Sequence, residues 1–326
     1  MVLVGDIGGT HARLSLLDAS GRTVRHEVLE SRKYPSLEAA IRAFLGAMTP
    51  KPKVSAAAFG VAGPVVDGRC VATNLPWVVD SRLLARKLAL KRVTLLNDLV
   101  ALSLGAIGVP RTKLHVLGDV GAPKKKGANV AVLAAGTGLG EAILVWDGAH
   151  FVPTATEGGH ADFGPSDDLE MELLQFLRAG FGHVSWERIL SGDGLGNLYD
   201  FFRQAKGIPE SGENARALGA AADRNAVITQ LGVAGKSEAA ARAVQRFASI
   251  YGAEAGNLAL KALAVGGVYV CGNIAVHMLS VFEQGGFRRA FADKGRFAPL
   301  MEKIPVALVL DSDVGLAGAA RVARGG

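Results

Sequence analysis

The sequence predicts an α/β protein of two lobes, and three observations carry that prediction. The chain has 326 residues, 49% hydrophobic and 20% charged, which suffices for two lobes with a sizeable core and is too apolar for a disordered chain. Residues 1–107 alternate short strand signals with amphipathic helix signals, the pattern of a mixed sheet covered by helices. Two glycine turns, Asp6-Ile7-Gly8-Gly9-Thr10 and Gly136-Thr137-Gly138-Leu139-Gly140, each end an apolar run. Each leads into a second strand-like run, Ala12 to Asp18 and Glu141 to Asp147. This weak internal echo is what one glycine hairpin per lobe produces.

The elements follow in order. Val2 to Gly5, Ala12 to Leu17 and Thr23 to Leu29 read as three strands separated by short turns. Leu37, Ala40, Ile41, Phe44 and Leu45 share one helix face, with Ser36 as N-cap. Val54 to Val61 is a buried strand, Arg82 to Leu90 a short basic helix, and Val93 to Leu96 a strand that stops at Asn97-Asp98. The connector Ile107 to Lys113 carries Gly108 and Pro110 and sets the lobe boundary, so that 1–107 forms a small lobe and 108–310 a large one. The large lobe opens with the hairpin Val130 to Asp147. It then turns helical at Asp167 to Arg178, Ser185 to Leu190, Leu195 to Gln204 and Glu238 to Ala264. In the last of these Val244, Phe247, Tyr251 and Leu258 share a face. Gly252 and Gly256 interrupt it at a cost of about 1 kcal/mol each, which predicts close packing of another backbone. Val268 to Cys271 and Val306 to Leu310 return as buried strands, and Val314 to Ala323 forms a short final helix of small residues.

Composition excludes several function classes. A net charge of +6 and a pI near 9.4 admit nucleic acid or anionic metabolites as partners. The basic residues are scattered, however, and the lysine run Lys124-Lys125-Lys126 between Pro123 and Gly127 reads as a solvated loop. No recognition-helix or zinc-finger pattern accompanies it, so no nucleic-acid partner is expected. No apolar run reaches the length of a membrane span. Met1-Val2-Leu3-Val4 runs into Asp6 without a basic stretch, so neither a membrane segment nor a signal peptide is expected. Cys70 and Cys271 lie far apart without metal or redox spacing, and the cytoplasm is the simplest compartment.

The polar motifs point to chemistry. A glycine turn lets backbone N–H groups approach phosphate oxygens closely, and two such turns can clamp one nucleotide tail, which points to phosphoryl transfer. The pattern is not a Walker A loop, since no Gly-Lys-Ser/Thr follows, nor a G-x-G-x-x-G fingerprint. Asp6 reads either as a turn-forming residue or as a carboxylate serving a divalent cation beside phosphates. Asn97-Asp98 either caps the helix Leu99 to Ile107 or supplies a general base for a sugar hydroxyl. Glu157-Gly158-Gly159-His160 is either a surface loop or a set of polyol-binding groups; a zinc site lacks its third and fourth ligands here. Glu187, in Ser185-Trp186-Glu187-Arg188, is either a solvent-facing charge or, with Trp186 as an apolar wall, a pyranose ligand. Thr73-Asn74-Leu75-Pro76-Trp77 is a turn fixed by Pro76 with Trp77 in the core, and Gly60 to Pro64 is a strand end bent by Gly63-Pro64.

Together these motifs resemble the bacterial ATP-dependent glucokinases of the hexokinase–actin superfamily over essentially the whole chain. Gly5 to Thr10, Thr73-Asn74, Leu96-Asn97-Asp98, Gly136 to Gly140, Glu157 to His160, Glu187-Arg188, Leu190-Ser191-Gly192, Gly266-Gly267-Val268 and Gly315-Leu316 occur in the family's order and spacing. The resemblance implies an actin-like (ribonuclease H-like) two-lobe fold with a mixed sheet in each lobe and a C-terminal helix, 311–326, joining the small lobe. It implies transfer of the γ-phosphoryl of ATP to the 6-hydroxyl of D-glucose, the first step of glycolysis. Asp98 corresponds to the catalytic base, and Asn97, Asp98, Glu157, His160 and Glu187 to the sugar ligands. Gly5, Asp6, Ile7, Gly8, Gly9, Thr10, Gly136, Thr137 and Gly272 correspond to the ATP cradle, with Mg2+ at Asp6 directly or through water. The usual assembly is a homodimer.

Three positions depart from the family pattern. His11 stands where Asn is common, Gly272-Asn273-Ile274 where two glycines precede Ile, and Val276-His277 near a usual Pro-Arg. The cysteine-rich zinc motif and N-terminal DNA-binding domain of the related repressor-and-kinase family are absent, which argues against a transcription regulator. Two alternatives stay open: a broader hexose kinase, including one using polyphosphate, and a sugar-binding regulatory protein without turnover.

Overall fold

Leu3, Ile7, Ala12, Leu14 and Leu16 fall on one face of two strands and are almost wholly buried. This alternation sets the first hairpin, in which β1 (Val2–Ile7) and β2 (His11–Leu17) pair antiparallel from Val2↔Leu17 to Ile7↔Ala12. The computed structural model describes residues 1–72, 75–124 and 126–325. The hairpin is followed by β3 (Thr23–Glu30), α1 (Leu37–Gly46), β4 (Ala56–Val61), β5 (Val65–Val66), β6 (Arg69–Val71), β7 (Val78–Asp80) and α2 (Ser81–Leu88). Then come β8 (Arg92–Asn97), α3 (Asp98–Ala106), β9 (Leu114–Leu117), β10 (Val130–Ala135), β11 (Leu139–Trp146) and β12 (Phe151–Thr156). A helical stretch holds α4 (Asp168–Phe181), α5 (Gly192–Asp200), a π-helical turn at Phe201–Ala205, α6 (Gly212–Ala220), α7 (Arg224–Val233) and α8 (Glu238–Ala262). β13 (Gly267–Cys271), α9 (Asn273–His277), α10 (Leu279–Glu283), α11 (Gly286–Ala292), α12 (Ala298–Met301), β14 (Val306–Val309) and α13 (Val314–Arg324) complete the chain.

The chain divides into two units. The first comprises Met1–Pro110, Pro153–Ala155 and Asp311–Gly326, and the second Arg111–Val152 and Thr156–Leu310. The first is built on a sheet of order β3-β2-β1-β4-β8, in which β1, β4 and β8 run parallel. One core forms around Phe44, Phe59 and Trp77. A smaller one forms where Leu316, Ala319 and Ala323 of α13 meet Val4, Leu17 and Ala58. Trp77 is buried as expected and donates its indole N–H to the Tyr34 carbonyl at 3.1 Å. Thr73 and Asn74 lie outside the described residues.

The second unit repeats the plan. Its sheet runs β12-β11-β10-β13-β14-β9, with β10, β13 and β14 parallel and β11 antiparallel to β10. The faint sequence echo is therefore a repeat of strand order. The second core centres on α8. Its Gly252 and Gly256 meet the backbone of α11: a Cβ at Gly252 would overlap the Phe287 carbonyl oxygen, and one at Gly256 would lie 2.6 Å from that of Phe291. Close packing of another backbone is thus what the two glycines permit.

Several elements differ from expectation. The helix expected over Ser185 to Leu190 is only a 3-10 turn, Trp186–Arg188. Ser185 is held extended by its bridge to Asp162, and Trp186 turns into the core, edge-on to Phe163 with centroids 5.1 Å apart. Trp186 therefore is not an apolar wall for a pyranose. The helix expected to begin at Leu195 starts earlier, where the Ser191 hydroxyl accepts a hydrogen bond from Gly194 N–H. Helices α6 and α7, strand β12 and the small sheet β5-β6-β7 have no counterpart in the sequence reading.

Candidate active site

Three parallel strands of the first unit end level. Ile7 of β1 pairs with Val61 of β4, and Val61 with Asn97 of β8. The turn after β1 and the start of α3 consequently open from the same sheet edge, the place where ligands gather in open α/β sheets. Gly8 donates its N–H to the His11 carbonyl at 2.9 Å, leaving Gly9 and Thr10 at the tip. Buried Ser31 straps this turn, its hydroxyl donating to the Gly8 carbonyl at 2.9 Å and its N–H to that of Thr10 at 3.0 Å. Gly5 and Ile7 lie inside β1 and serve the core. A Cβ at Gly5 would stand 2.7 Å from the Phe59 ring, and Ile7 is 1% exposed.

Asn97 takes the capping role that the sequence offered to this pair. The Asn97 Oδ1 accepts from Leu99 N–H at 3.0 Å and Val100 N–H at 3.3 Å, capping α3, while its Nδ2 donates to the Gly63 carbonyl at 3.1 Å. Asp98 is the first residue of α3. Its Oδ1 accepts from its neighbour Leu99 at 3.0 Å. Gly60 lets α3 approach β4, since a Cβ there would lie 2.9 Å from that of Ala101.

Asp6 faces the same edge. Arg13, its cross-strand partner, donates Nη1–H to Asp6 Oδ2 at 3.1 Å. Burial raises the Asp6 pKa, Arg13 opposes that rise and Asp313 adds to it. An Asp6 carboxylate whose charge burial and Asp313 disfavour suits a cation beside it. Among the described residues no group of three or more His, Cys, Asp or Glu is placed to hold a metal.

The second glycine turn belongs to the second unit. Gly136 donates its N–H to the Gly138 carbonyl at 2.8 Å, and its own carbonyl accepts from Gly192 N–H at 2.9 Å. Glu187 lies against this turn. Its Oε2 accepts from Leu139 N–H at 2.9 Å, in space that a Cβ at Gly138 would occupy. Its Oε1 lies 3.9 Å from His160 Nδ1, too long for a direct hydrogen bond. Its carbonyl accepts the Ser191 hydroxyl at 2.7 Å. Glu187 is thus a fixed group rather than a solvent-facing charge. Glu157 is exposed and precedes the 3-10 turn Gly158–His160, whose glycines let the loop press on β11: a Cβ at Gly159 would overlap the Leu139 carbonyl oxygen.

A cavity of about 680 Å³ adjoins the same turn, within the size range of ligand pockets. Gly136 and Thr137 form part of its wall, with Asp193, Asn225, Gln230, Asn273 and His277. Asn225 Nδ2 donates to Asp193 Oδ1 at 3.2 Å. Asn225, Thr229 and Gln230 were not among the sequence candidates; the signal that could have found them is the Asp223 N-cap, which accepts from Ala226 N–H and starts α7 beneath the pocket. Gly272, before Asn273, takes a positive φ of 96°, and a Cβ there would overlap the Ala135 carbonyl oxygen. Asn273 opens α9 and offers its side chain to the cavity. Asn273→Gly is expected to alter the Michaelis constant for the nucleotide a few-fold, under about 1.4 kcal/mol, and to leave that of the phosphoryl acceptor unchanged. Steady-state kinetics with each substrate varied in turn checks this, and the converse pattern would remove Asn273 from the nucleotide side.

A family model described as Glucokinase matches residues 3–325. The glucokinase of Trichormus variabilis is 38% identical over 336 residues, covering 98% of each chain. That of Shigella sonnei is 38% identical over 319 residues, covering 97% of this chain and 94% of the relative. Among solved structures, a glucokinase from an Antarctic psychrotroph superposes with a TM-score of 0.83 at 30% identity, covering 100% of this chain and 99% of the other. A glucokinase from Balamuthia mandrillaris, solved with glucose, shares the fold at a TM-score of 0.80 and 23% identity, covering 99% and 93%.

Proposed function

The chain belongs to the glucokinase family, and from that premise we propose that it transfers the γ-phosphoryl of ATP to the 6-hydroxyl of D-glucose, giving glucose 6-phosphate and ADP. The observation that carries the reading is the position of Asp98. A carboxylate able to take a proton and a strapped glycine turn able to donate N–H groups to phosphate open from one strand edge of the first unit. Asp98 accepts the proton of the 6-hydroxyl as that oxygen bonds to the γ-phosphorus and the bond to the departing ADP oxygen breaks. Backbone N–H groups of Gly9, Thr10 and Thr137 hold phosphate oxygens, Gly8 and Gly136 close the two turns through their own hydrogen bonds, and Gly272 shapes the nucleotide side. Mg2+ held by Asp6, directly or through water, neutralises charge on the phosphates when bound. Asn97, with one amide hydrogen beyond its bond to Gly63, binds sugar along with Glu157, His160 and Glu187. A hydroxyl set off the line between His160 Nδ1 and Glu187 Oε1 reaches both.

The remaining properties follow the family. The family's lobes correspond to 1–107 with 311–326 and to 108–310, a division three residues before the unit boundary at Pro110 and without the exchange of Pro153–Ala155; the protein acts in the cytoplasm, as a homodimer, at the first step of glycolysis. Among the described residues no helix is long and apolar enough to cross a membrane. The test is a coupled assay with ATP, Mg2+ and a hexose panel. A misplaced hydroxyl leaves a fixed polar group unpaired at about 1–3 kcal/mol, so kcat/KM for glucose should exceed that for mannose or galactose by roughly 5- to 150-fold. Equal efficiencies would make this a broad hexose kinase, and binding without turnover a regulatory protein.

A further inference from the structure

Beneath the Glu157–His160 loop lies a pair of carboxyl groups that the proposed reaction does not use. Glu141, on β11, is 1% exposed, and Glu254, on α8, is 0% exposed. Their side chains are within hydrogen-bonding reach of each other. The Oε2 of Glu254 accepts from Asn257 Nδ2 at 2.9 Å. The Oε1 atoms of both residues are buried without a hydrogen-bond partner among the described residues. The Lys261 ammonium stands 3.7 Å from Glu254 Oε1, longer than a hydrogen bond. Two carboxylates cannot satisfy one another, but a carboxyl and a carboxylate can, by sharing one proton.

Glu141 also touches the loop. A Cβ at Gly158 would overlap Glu141 Oε2, so the bare Cα of Gly158 rests on this carboxyl. Thr156 ties the same strands together, its hydroxyl accepting from Gly158 N–H at 3.1 Å and donating to the Glu141 carbonyl at 3.3 Å. We propose that Glu141 and Glu254 hold one proton between them and that this shared proton positions the Gly158–Gly159 segment, and with it Glu157 and His160. The consequence for sugar affinity rests on the reading of Glu157 and His160 as sugar ligands.

The electrostatics agree. Burial raises the Glu141 pKa, to about 8, with the Glu254 charge as the second cause and Lys261 opposing. Burial also raises that of Glu254, against Asn257, Lys261 and Lys294. Tyr251, from α8, is the other titratable group that senses Glu141. A folded carboxyl whose pKa lies above its ordinary 4.5 holds its proton more tightly than the unfolded chain does. Its contribution to stability is full below that ordinary value, declines as pH rises through about 8, and is flat above. In the folded protein the pair ionises near that upper limit. Glu254 is held by Asn257, so the repulsion displaces Glu141, and Gly158 rests on it.

The test compares wild type, Glu141→Gln and Glu254→Gln between about pH 6 and pH 9.5. Two readouts are hydrogen exchange of the 156–162 amides, corrected for intrinsic rates, and glucose affinity by calorimetry without nucleotide. In wild type, loop protection should fall and the glucose Kd should rise several-fold together as pH passes about 8. In either Gln variant the amide donates at every pH, so both responses should vanish; two variants are used in case one fails to fold. A wild-type loop that does not titrate, or a Gln variant that titrates like wild type, overturns the proposal. A loop that titrates in wild type alone, with glucose bound at no pH, supports the shared proton and overturns the sugar reading.

Discussion

Asp98→Asn is expected to lower kcat by a factor of about 10²–10⁴ while glucose still binds. Asn97, not Asp98, carries the principal cap of α3, with Oδ1 accepting from both Leu99 and Val100. An amide at position 98 retains a carbonyl oxygen that can accept from Leu99 N–H, as the carboxylate does at 3.0 Å. What disappears is the basic oxygen and one negative charge at a helix N-terminus, a charge worth about 0.3–1 kcal/mol to the helix. The fold should therefore stand, with a small drop in melting temperature. Rapid-quench measurement of the first turnover, beside calorimetric glucose binding, separates the chemistry from binding. Near wild-type turnover would reduce Asp98 to an accessory of the cap, and loss of glucose binding with unchanged turnover would make it a ligand rather than a base.

The position of Asp98 is legible in the sequence because the cause is local. A buried apolar strand runs into Asn-Asp and then into a helical run, and strand end, cap and carboxylate lie within a few residues. The glycine hairpins are legible for the same reason. Gly252 and Gly256 are legible one step further out, since a glycine in a long helix states that something approaches, though not that it is α11. The environment of Glu187 is not legible. Its fixed geometry comes from Leu139 N–H, 48 positions away in the chain, and from the bare Cα of Gly138. Trp186 shows the same limit: adjacency to a carboxylate pointed to a sugar wall, while its packing on Phe163 turned it inward. Glu141 and Glu254 lie 113 positions apart with no local motif linking them, and only the pairing of β11 with β10 and the packing of α8 on β10 brings them together. Helices α6 and α7 are only 9 and 10 residues long, so their caps, Ser211 and Asp223, are stronger signals than their periodicity.

Gly318→Ala should destabilise the protein and slow it, although alanine is the better helix former. In isolation the exchange gains about 0.8–1.0 kcal/mol of helix propensity. Here Gly318 of α13 faces α3, and a Cβ would overlap the Ala101 carbonyl oxygen, with Gly105 N at 2.8 Å. The contact is reciprocal: a Cβ at Gly105 would overlap the Val314 carbonyl oxygen, with its carbon at 2.8 Å. These neighbours are backbone atoms of two packed helices, so no side chain can rotate away, and the helices must separate. Overpacking of this kind costs about 1–3 kcal/mol, more than the propensity gain, and should lower the melting temperature by a few degrees. Because α3 begins at Asp98, a shift of that helix also moves the base, and a displacement of about 1 Å can cost roughly 10²-fold in rate. Gly219→Ala is the control. Gly219 lies exposed in α6 with nothing within 4 Å of a Cβ, so it should gain about 0.5–1 kcal/mol and leave kcat unchanged. If the α3–α13 contact sets the position of Asp98, the two variants shift the melting temperature in opposite directions and only Gly318→Ala lowers kcat. A Gly318→Ala protein as stable and as fast as the Gly219→Ala control would mean that the two helices have slack, and that something other than their backbone contact holds the base in place.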